Sequence, residues 1–380
     1  MNNLWMDFLI NDKDKYWFVS GTDNNLFYIN KSDYMLHLFK SIPCKAGVRM
    51  FNSGLIFENQ IWLFPYNAGE IIVFDKTTNE FESIEIDKKY SRKAQFSMYI
   101  KNNDFAYVFD SNNQHICMEV NLKTRNIKYY SFDEFVEPTQ TLSRDIVLYN
   151  NKIVICVKES PAIIFFDVNT KEFRAYNIKG IMGGFDTIAA YKDRFYLSGK
   201  QGIYIWDGHK ENVEIMKDFP ESFRVQSIKY NIINLYKLND VFTQNLNTIF
   251  WKSFVYGKKL ILISAYANMS LILDCETKKI SAFDLEEKET LETLKEYPIN
   301  LRATSIEHLF AQIIENKLFC FLSRDNSILE IRLDEDLNTI YKIKCNICDE
   351  DLLCMISKNK NYVYENSQID LVKWIEIINC

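Results

Sequence analysis

The chain of 380 residues has 45 Lys and Arg against 51 Asp and Glu, a formal net charge of −6 at pH 7, and 47% hydrophobic residues. Phosphate binding needs a clustered excess of Lys and Arg, so this balance disfavours a nucleic-acid partner. The first seven residues have neither the basic nor the apolar region of a signal peptide, and no run of about 18 apolar residues occurs anywhere. We therefore expect a soluble, cytoplasmic protein without membrane contact.

The composition favours β-strands in a single domain. The 28 Phe and 22 Tyr suit half-buried, pleated surfaces better than helices. Only 11 Gly and 6 Pro are present, and no segment is low in complexity, so the sequence contains no recognisable linker. A repeated β fold can hold this length as one unit, and we expect residues 1–380 to form one domain.

A seven-residue phrase recurs along the chain. An apolar run ends in Asp or Asn, Thr often follows three residues later, and an apolar residue occupies the sixth position after the Asp or Asn. The Asp or Asn side chain can accept from backbone N–H groups two residues on, which predicts a hairpin turn at each copy. In chain order, these anchor residues are Asn30, Asp75, Asn121, Asp167, Asp207, Asp274 and Asp334.

Each anchor follows three apolar segments that are separated by turn signals. In one unit these segments are residues 54–57, 61–64 and 71–74, and the plus-six residue Phe81 begins a fourth. Every unit therefore reads as four antiparallel strands, here called A to D in chain order. A sheet of about 45 residues cannot bury both faces alone, and stacking such sheets around an axis solves this. The sequence predicts an all-β fold, a single β-propeller of four-stranded blades.

The number of blades can be argued in two ways. Residues 6–10 supply a strand A for the first unit, and Asn379 falls on the period after Asp334, which favours eight units. The alternative takes residues 369–378 as a helix and residues 352–356 as the strand that closes a seven-bladed ring. We expect eight units and keep seven as the alternative.

At these residues the chain resembles the kelch type of β-propeller, which has a D-x-x-T-x-x-aromatic phrase and often an Arg just before strand A. The diglycine that this family places at the end of strand B is missing here; the sites read, for example, Phe64-Pro65 and Val157-Lys158. The resemblance is therefore at the level of the superfamily. It implies that arginines on the loop rim bind acidic peptides.

The rim formed by the B–C and D–A loops is the expected binding surface. Two D–A connections are enlarged, at about residues 217–250 and 286–307. Residues 286–297 read as a short acidic helix with Asp284 as its N-cap. Such insertions are functional loops or lids that only cover the end of the barrel.

Four arginines precede a strand A at comparable positions, and they are Arg49, Arg92, Arg144 and Arg302. If they point towards the axis, they create a positive mouth in an acidic protein, and arginine forks suit carboxylates. We predict that these four residues bind an acidic peptide or protein segment. The other interpretation is that each one pairs with a neighbouring carboxylate such as Asp145.

The sequence gives no sign of a metal site or a cofactor. Cys345 and Cys348 have close-pair spacing with Cys354 nearby, but a second pair and a nearby His are missing, so we expect ordinary thiols. Cys117, Cys156 and Cys320 lie inside apolar strands and are expected to be reduced. No nucleophile, phosphate-binding or dinucleotide motif stands out.

The predicted function is that of a cytoplasmic binding or scaffold protein whose rim recognises an acidic protein segment. The alternative is an enzyme that acts on a small anionic or carbohydrate-like substrate in the axial mouth.

Overall fold

Alternating apolar strands and short turns produce a β-structure throughout the part of the chain that can be described. The structure is a computed structural model, and it describes residues 6–344 apart from 22–23, 46, 210–212, 230–231, 237–247, 284, 286–307, 323–326 and 334–339. Seven four-stranded antiparallel sheets and one two-stranded hairpin occur in these residues. The predicted all-β propeller of four-stranded blades is confirmed.

The first four blades follow one another along the chain. Blade 1 contains β1 (Ile10–Asn11), β2 (Lys15–Val19), β3 (Asn25–Asn30) and β4 (Leu36–Ser41). Blade 2 contains β5 (Phe51–Phe57), β6 (Gln60–Pro65), β7 (Glu70–Asp75) and β8 (Glu80–Glu85). Blade 3 contains β9 (Phe96–Asn102), β10 (Phe105–Asp110), β11 (Ile116–Asn121) and β12 (Ile127–Ser131). Blade 4 contains β13 (Leu142–Tyr149), β14 (Lys152–Val157), β15 (Ala162–Asp167) and β16 (Phe173–Asn177).

Three further blades and a hairpin complete the described strands. Blade 5 contains β17 (Phe185–Tyr191), β18 (Arg194–Gly199), β19 (Gly202–Trp206) and β20 (Glu214–Met216). The hairpin is formed by β21 (Val225–Lys229) and β22 (Ile232–Tyr236). Blade 6 contains β23 (Phe250–Tyr256), β24 (Lys259–Ser264), β25 (Ser270–Asp274) and β26 (Ile280–Phe283). Blade 7 contains β27 (His308–Ile314), β28 (Lys317–Leu322), β29 (Ser327–Arg332) and β30 (Ile340–Lys344).

Each blade buries both of its faces against its two neighbours. In β6, Ile61 and Leu63 pack in the cluster shared with blade 1, whereas Trp62 and Phe64 pack in the cluster shared with blade 3. This division follows from the alternation of side chains along a strand. Every pair of adjacent blades shares one such cluster of buried apolar residues.

The ring closes by direct packing of blade 7 on blade 1. Phe18 and Phe27 of blade 1 belong to the same buried cluster as Phe319 and Phe321 of blade 7. The backbone N–H of Leu9 also donates to Gln312 Oε1 over 3.1 Å. This contact corrects the expectation of eight units, because a blade inserted between these two would separate them. The segment predicted to form that unit, residues 352–379, lies outside the described residues.

The recurring phrase forms the turns between strands C and D. In the copies at Asp75, Asn121, Asp167 and Asp274, the side-chain oxygen accepts from the backbone N–H groups of the second and third residues that follow. The fourth residue after the anchor has a positive φ of 60–66° in these copies. Its N–H donates back to the anchor carbonyl over 2.8–2.9 Å. The predicted role of the phrase as a turn is confirmed at these anchors; Asp334 lies outside the described residues.

In the turns at Asn121, Asp167 and Asp274, the positive-φ residue reaches a glutamate of the preceding blade. Arg125 contacts Glu82 in this way, and Lys278 contacts Glu214 over 2.6 Å. Lys171 contacts Glu119, which is only 4% exposed, and also donates to Tyr107 over 2.7 Å. The left-handed conformation turns the side chain away from its own sheet, so the turn motif also links neighbouring blades.

The enlarged connection between blades 5 and 6 contains the β21–β22 hairpin. Val225 is buried and forms an isolated bridge to Ala267, in the B–C loop of blade 6. The Asn268 side chain accepts from the N–H of Arg224 over 2.7 Å and donates to the Ser222 carbonyl over 2.9 Å. The base of the hairpin is therefore attached to the rim of blade 6.

Two other expectations concern helices and cysteines. The helix predicted within residues 286–307 is not supported: those residues lie outside the described part, which contains only a single 3-10 turn, Asp133–Phe135. Cys117, Cys156 and Cys320 are buried free thiols, as predicted, while Cys345, Cys348 and Cys354 lie beyond the described residues. No helix in the described ranges has the length and hydropathy that a membrane span requires.

The interblade contact of Lys171 can be tested against that of Lys278. Lys171→Met leaves the buried Glu119 carboxylate without its cation, and we expect a loss of at least about 2 kcal/mol in unfolding free energy. Lys278→Met breaks a pair whose side chains are 40% and 48% exposed, at the same turn position, and should cost less than about 1 kcal/mol. Urea denaturation of both variants measures the difference. Equal losses in unfolding free energy would contradict the larger contribution that we assign to the buried pair.

Candidate functional site

The beginnings of the A strands surround the propeller axis on the face that has the B–C and D–A loops. In blades 2 to 7 the pairing of strand A with strand B shifts register just after the first residue of strand A. Such a β-bulge leaves extra residues unpaired and redirects their side chains. The extra residues are Asn52, Ser97, the segment 143–145, Asp186, Trp251 and Leu309.

Two cavities lie along the axis, and the bulge residues of blades 2 to 6 line them. The outer cavity, of about 200 Å³, is lined by Arg144, Asp186 and Trp251 together with loop residues such as Tyr66 and Lys158. The inner cavity, of about 270 Å³, is lined by Asn52, Ser97, Arg144 and Trp251 and by residues further along the A strands. Arg144 and Trp251 line both cavities and therefore form the boundary between them.

Arg144 is a half-buried cation at this boundary. Its guanidinium carbon lies 4.2 Å from the centroid of the Trp251 ring, a cation–π distance. Burial lowers the pKa of Arg144, and the nearby positive charge of Arg49 acts in the same direction. Among the described residues its guanidinium has no ion pair or hydrogen bond. Asp145, which the sequence suggested as its partner, instead accepts from the backbone N–H and the hydroxyl of Ser253 over 2.8 and 2.7 Å.

Arg49 also reaches the axis, but its charge is compensated. Its Nε and Nη2 donate to the two oxygens of Asp7 over 3.0 and 3.1 Å. Its guanidinium carbon lies 4.7 Å from the Tyr66 ring centroid. In the amide orientation that satisfies both neighbours, Asn52 donates to Asp7 over 3.0 Å and accepts from Arg49 over 3.2 Å. Arg49 therefore fixes the wall of the mouth.

The other two predicted arginines are not brought to this site. Arg92 lines a separate cavity of about 370 Å³ near blade 2, together with Glu70 and Glu85. Arg302 lies outside the described residues. The structure thus places Arg49 and Arg144 at the axis, whereas Arg92 lines neither axial cavity; these observations do not test the binding role predicted for the four residues.

Lys158 and the buried Asp186 complete the outer cavity, and Lys200 is close enough to influence the titration of Asp186. Burial raises the pKa of Asp186 to about 6, while the positive charges of Lys158 and Lys200 and the N–H groups of Ile249 and Phe250 oppose this rise. The Ile249 N–H donates to Asp186 over 2.7 Å. Lys158 and Lys200 make no ion pair with any residue that the structure describes.

Sequence reasoning missed Trp251, Asp186 and Lys158. A shared sequence position could have indicated the first two. Trp251 follows Phe250 and Asp186 follows Phe185, and each Phe is the first residue of a strand A. Alignment of the units on these phenylalanines would have placed both residues beside Arg144. Lys158 gave no comparable signal.

Comparisons with known proteins agree with the fold and go no further. No protein-family model matches the sequence, and no curated protein is similar to it. The crystal structure of virginiamycin B lyase from Staphylococcus aureus superposes with a TM-score of 0.58 at 12% identity, covering 87% of this chain and 95% of that one. The chain has the β-propeller fold. At this identity the likeness shows the fold alone, and no kelch-specific match accompanies it.

A second structural neighbour is PorZ of Porphyromonas gingivalis, described as an essential bacterial surface component of the type-IX secretion system. It superposes with a TM-score of 0.54 at 10% identity over 91% of this chain. This chain spans 39% of the length of PorZ. This likeness, too, shows the fold alone.

The titration of Asp186 can be measured through stability. Because its pKa is about 6 in the fold and 3.8 normally, the folded state holds a proton that the unfolded state releases, and stability falls as pH rises through this interval. Asp186→Asn removes this titration. The unfolding free energy of the variant should therefore rise relative to that of wild type, by up to about 3 kcal/mol, as the pH increases from about 4 to about 7.

Urea denaturation across this pH range tests the expectation, with Asp193→Asn as the control for the loss of an exposed carboxylate in the same blade. A difference between Asp186→Asn and wild type that stays constant with pH would refute the assignment.

Proposed function

We propose that the chain is a binding protein whose axial mouth recognises an acidic segment of a protein partner. The observation that carries this proposal is Arg144, a half-buried guanidinium without an ion pair among the described residues, stacked on Trp251 between two cavities. A stacked guanidinium is held in place and still offers its N–H edge to a carboxylate. The site is therefore organised before a ligand arrives.

The surrounding charges support an anionic ligand. Lys158 lines the same outer cavity, and Lys200 is close enough to affect the titration of Asp186. Arg49 adds no uncompensated charge because Asp7 pairs with it. The mouth thus concentrates positive charge in a protein whose net charge is −6, which favours association with an acidic partner and weakens it at high salt.

The dimensions of the outer cavity favour the insertion of one acidic side chain, while the rest of the peptide contacts the surface around it. An outer cavity of about 200 Å³ is too small for a folded element but accommodates a single side chain. Val48, which precedes Arg49, and Met182, in the connection between blades 4 and 5, are 55% and 54% exposed on the same face. Apolar residues beside a central charged pocket are suited to the flanks of a peptide.

Binding of a fluorescein-labelled octaglutamate peptide to the full chain tests this function by fluorescence polarisation. Arg144→Gln removes the guanidinium donors but keeps a polar side chain at this position. We expect roughly ten- to hundredfold weaker binding, because a charge-assisted hydrogen bond is lost. Affinity for wild type should fall with increasing NaCl, and octaglutamine should not bind.

Arg92→Gln is the matched control, because Arg92 also precedes a strand A but lines a different cavity. It should leave the affinity within about twofold of wild type. Equal binding by wild type and a folded Arg144→Gln variant, or no binding of octaglutamate by wild type, would refute the proposal.

An enzyme acting on a small anionic substrate is the second candidate, and Asp186 favours it. A carboxyl group whose pKa is about 6, in the same cavity as an anion-binding guanidinium, can transfer a proton near neutral pH. Incubation with a panel of hydroxy acids and sugar acids, followed by NMR, tests this role. Turnover by wild type but not by Asp186→Asn supports it, and equal turnover by both, or none by wild type, counts against it.

A further inference from the structure

The inner cavity lies beyond the proposed peptide site, on the other side of Arg144 and Trp251. The strands A of blades 2, 3, 4, 6 and 7 and the segment before β1 contribute its walls. Its volume of about 270 Å³ equals that of about nine molecules of liquid water. A single molecule of monosaccharide size therefore fits there, whereas a peptide segment does not.

Unpartnered hydrogen-bond donors line this cavity. The Ser97 hydroxyl is buried and has no partner among the described residues, and Tyr99, in the same lining, donates no hydrogen bond to any described residue. Burial raises the pKa of Tyr99 to about 12, so its hydroxyl keeps its proton. Gln312 accepts from the Leu9 N–H through Oε1, which leaves its NH₂ group without a partner within the described part of the chain. A buried donor is normally satisfied, so the unpartnered Ser97 hydroxyl, in the same lining as the unpaired donors of Tyr99 and Gln312, points to an oxygen-rich ligand.

The charges around the cavity leave one positive charge uncompensated. Asp7 pairs with Arg49, and the Lys252 ammonium lies 3.4 Å from Asp145. Arg144 is the remaining charged residue of the lining, and no described carboxylate pairs with it. A ligand with a single negative charge would neutralise the cavity, whereas a dianion would not.

We propose that the inner cavity is a second binding site, for a small polyhydroxylated monoanion of the sugar-acid class. Its carboxylate accepts from the inner edge of the Arg144 guanidinium. Its hydroxyl oxygens accept from Ser97, Tyr99 and Gln312. The aromatic residues of the lining, among them Trp251 and Phe254, contact the carbon skeleton. The peptide site does not need Ser97 or Tyr99, which separates the two sites experimentally.

Isothermal titration calorimetry of the full chain with D-glucuronate tests the proposal, with D-glucose as the neutral counterpart. Glucuronate should bind wild type, and glucose should bind much more weakly. The double variant Ser97→Ala/Tyr99→Phe removes two hydroxyls that have no described partner, so the fold should tolerate it. Glucuronate binding should weaken roughly tenfold or more, because two hydrogen bonds are lost.

Two controls separate this site from the mouth. Tyr176→Phe, on the outer strand β16, should leave the affinity for glucuronate unchanged. Octaglutamate binding should be the same for the double variant and wild type, so that failure of one site is distinguished from failure of the other. No glucuronate binding at millimolar concentrations, equal binding of glucose, or full affinity in the double variant would each overturn the proposal.

Discussion

The candidate site depends on one backbone irregularity, the bulge at the start of strand A in blades 2 to 7. The A strands surround the axis, where a regular alternation would direct successive side chains into one or the other neighbouring blade. An extra unpaired residue frees a side chain from this packing and directs it to the axis. Asn52, Ser97, Asp186 and Trp251 reach the cavities in this way, and Arg144 does so from the longer irregular segment of blade 4.

The regular part of the fold was predictable because it depends on local chemistry. The anchor oxygens of Asp75 and Asp274 accept from nearby N–H groups, so a short sequence phrase suffices to specify the turn. The number of blades was predicted wrongly because closure is a long-range contact. Phe18 and Phe27 pack against Phe321, nearly the whole described chain away, and a period counted towards Asn379 contains no information about that contact.

The site itself was only partly predictable. The positions of Arg49 and Arg144 before strand A were visible in the sequence, and both lie at the axis. Their different roles follow from partners that are distant in sequence: Asp7 neutralises Arg49, whereas Asp145 is engaged by Ser253 of blade 6. The sequence suggested Asp145 as a partner of Arg144 only because the two are adjacent, and adjacency contains no information about the contact of Asp145 with Ser253.

The two faces of the propeller use their charges in opposite ways. On the face with the C–D turns, basic residues such as Arg125 and Lys171 pair with glutamates of the preceding blade. Their positive charge is therefore neutralised in contacts between blades. At the axial mouth, Arg144, Lys158 and Lys200 have no described acidic partner, and the carboxyl group of Asp186 beside them keeps its proton up to about pH 6 because it is buried. Unpaired charge costs stability and is not needed for closure. The described charges at the mouth are therefore left uncompensated at a cost in stability, which is the arrangement that the proposed anion site requires.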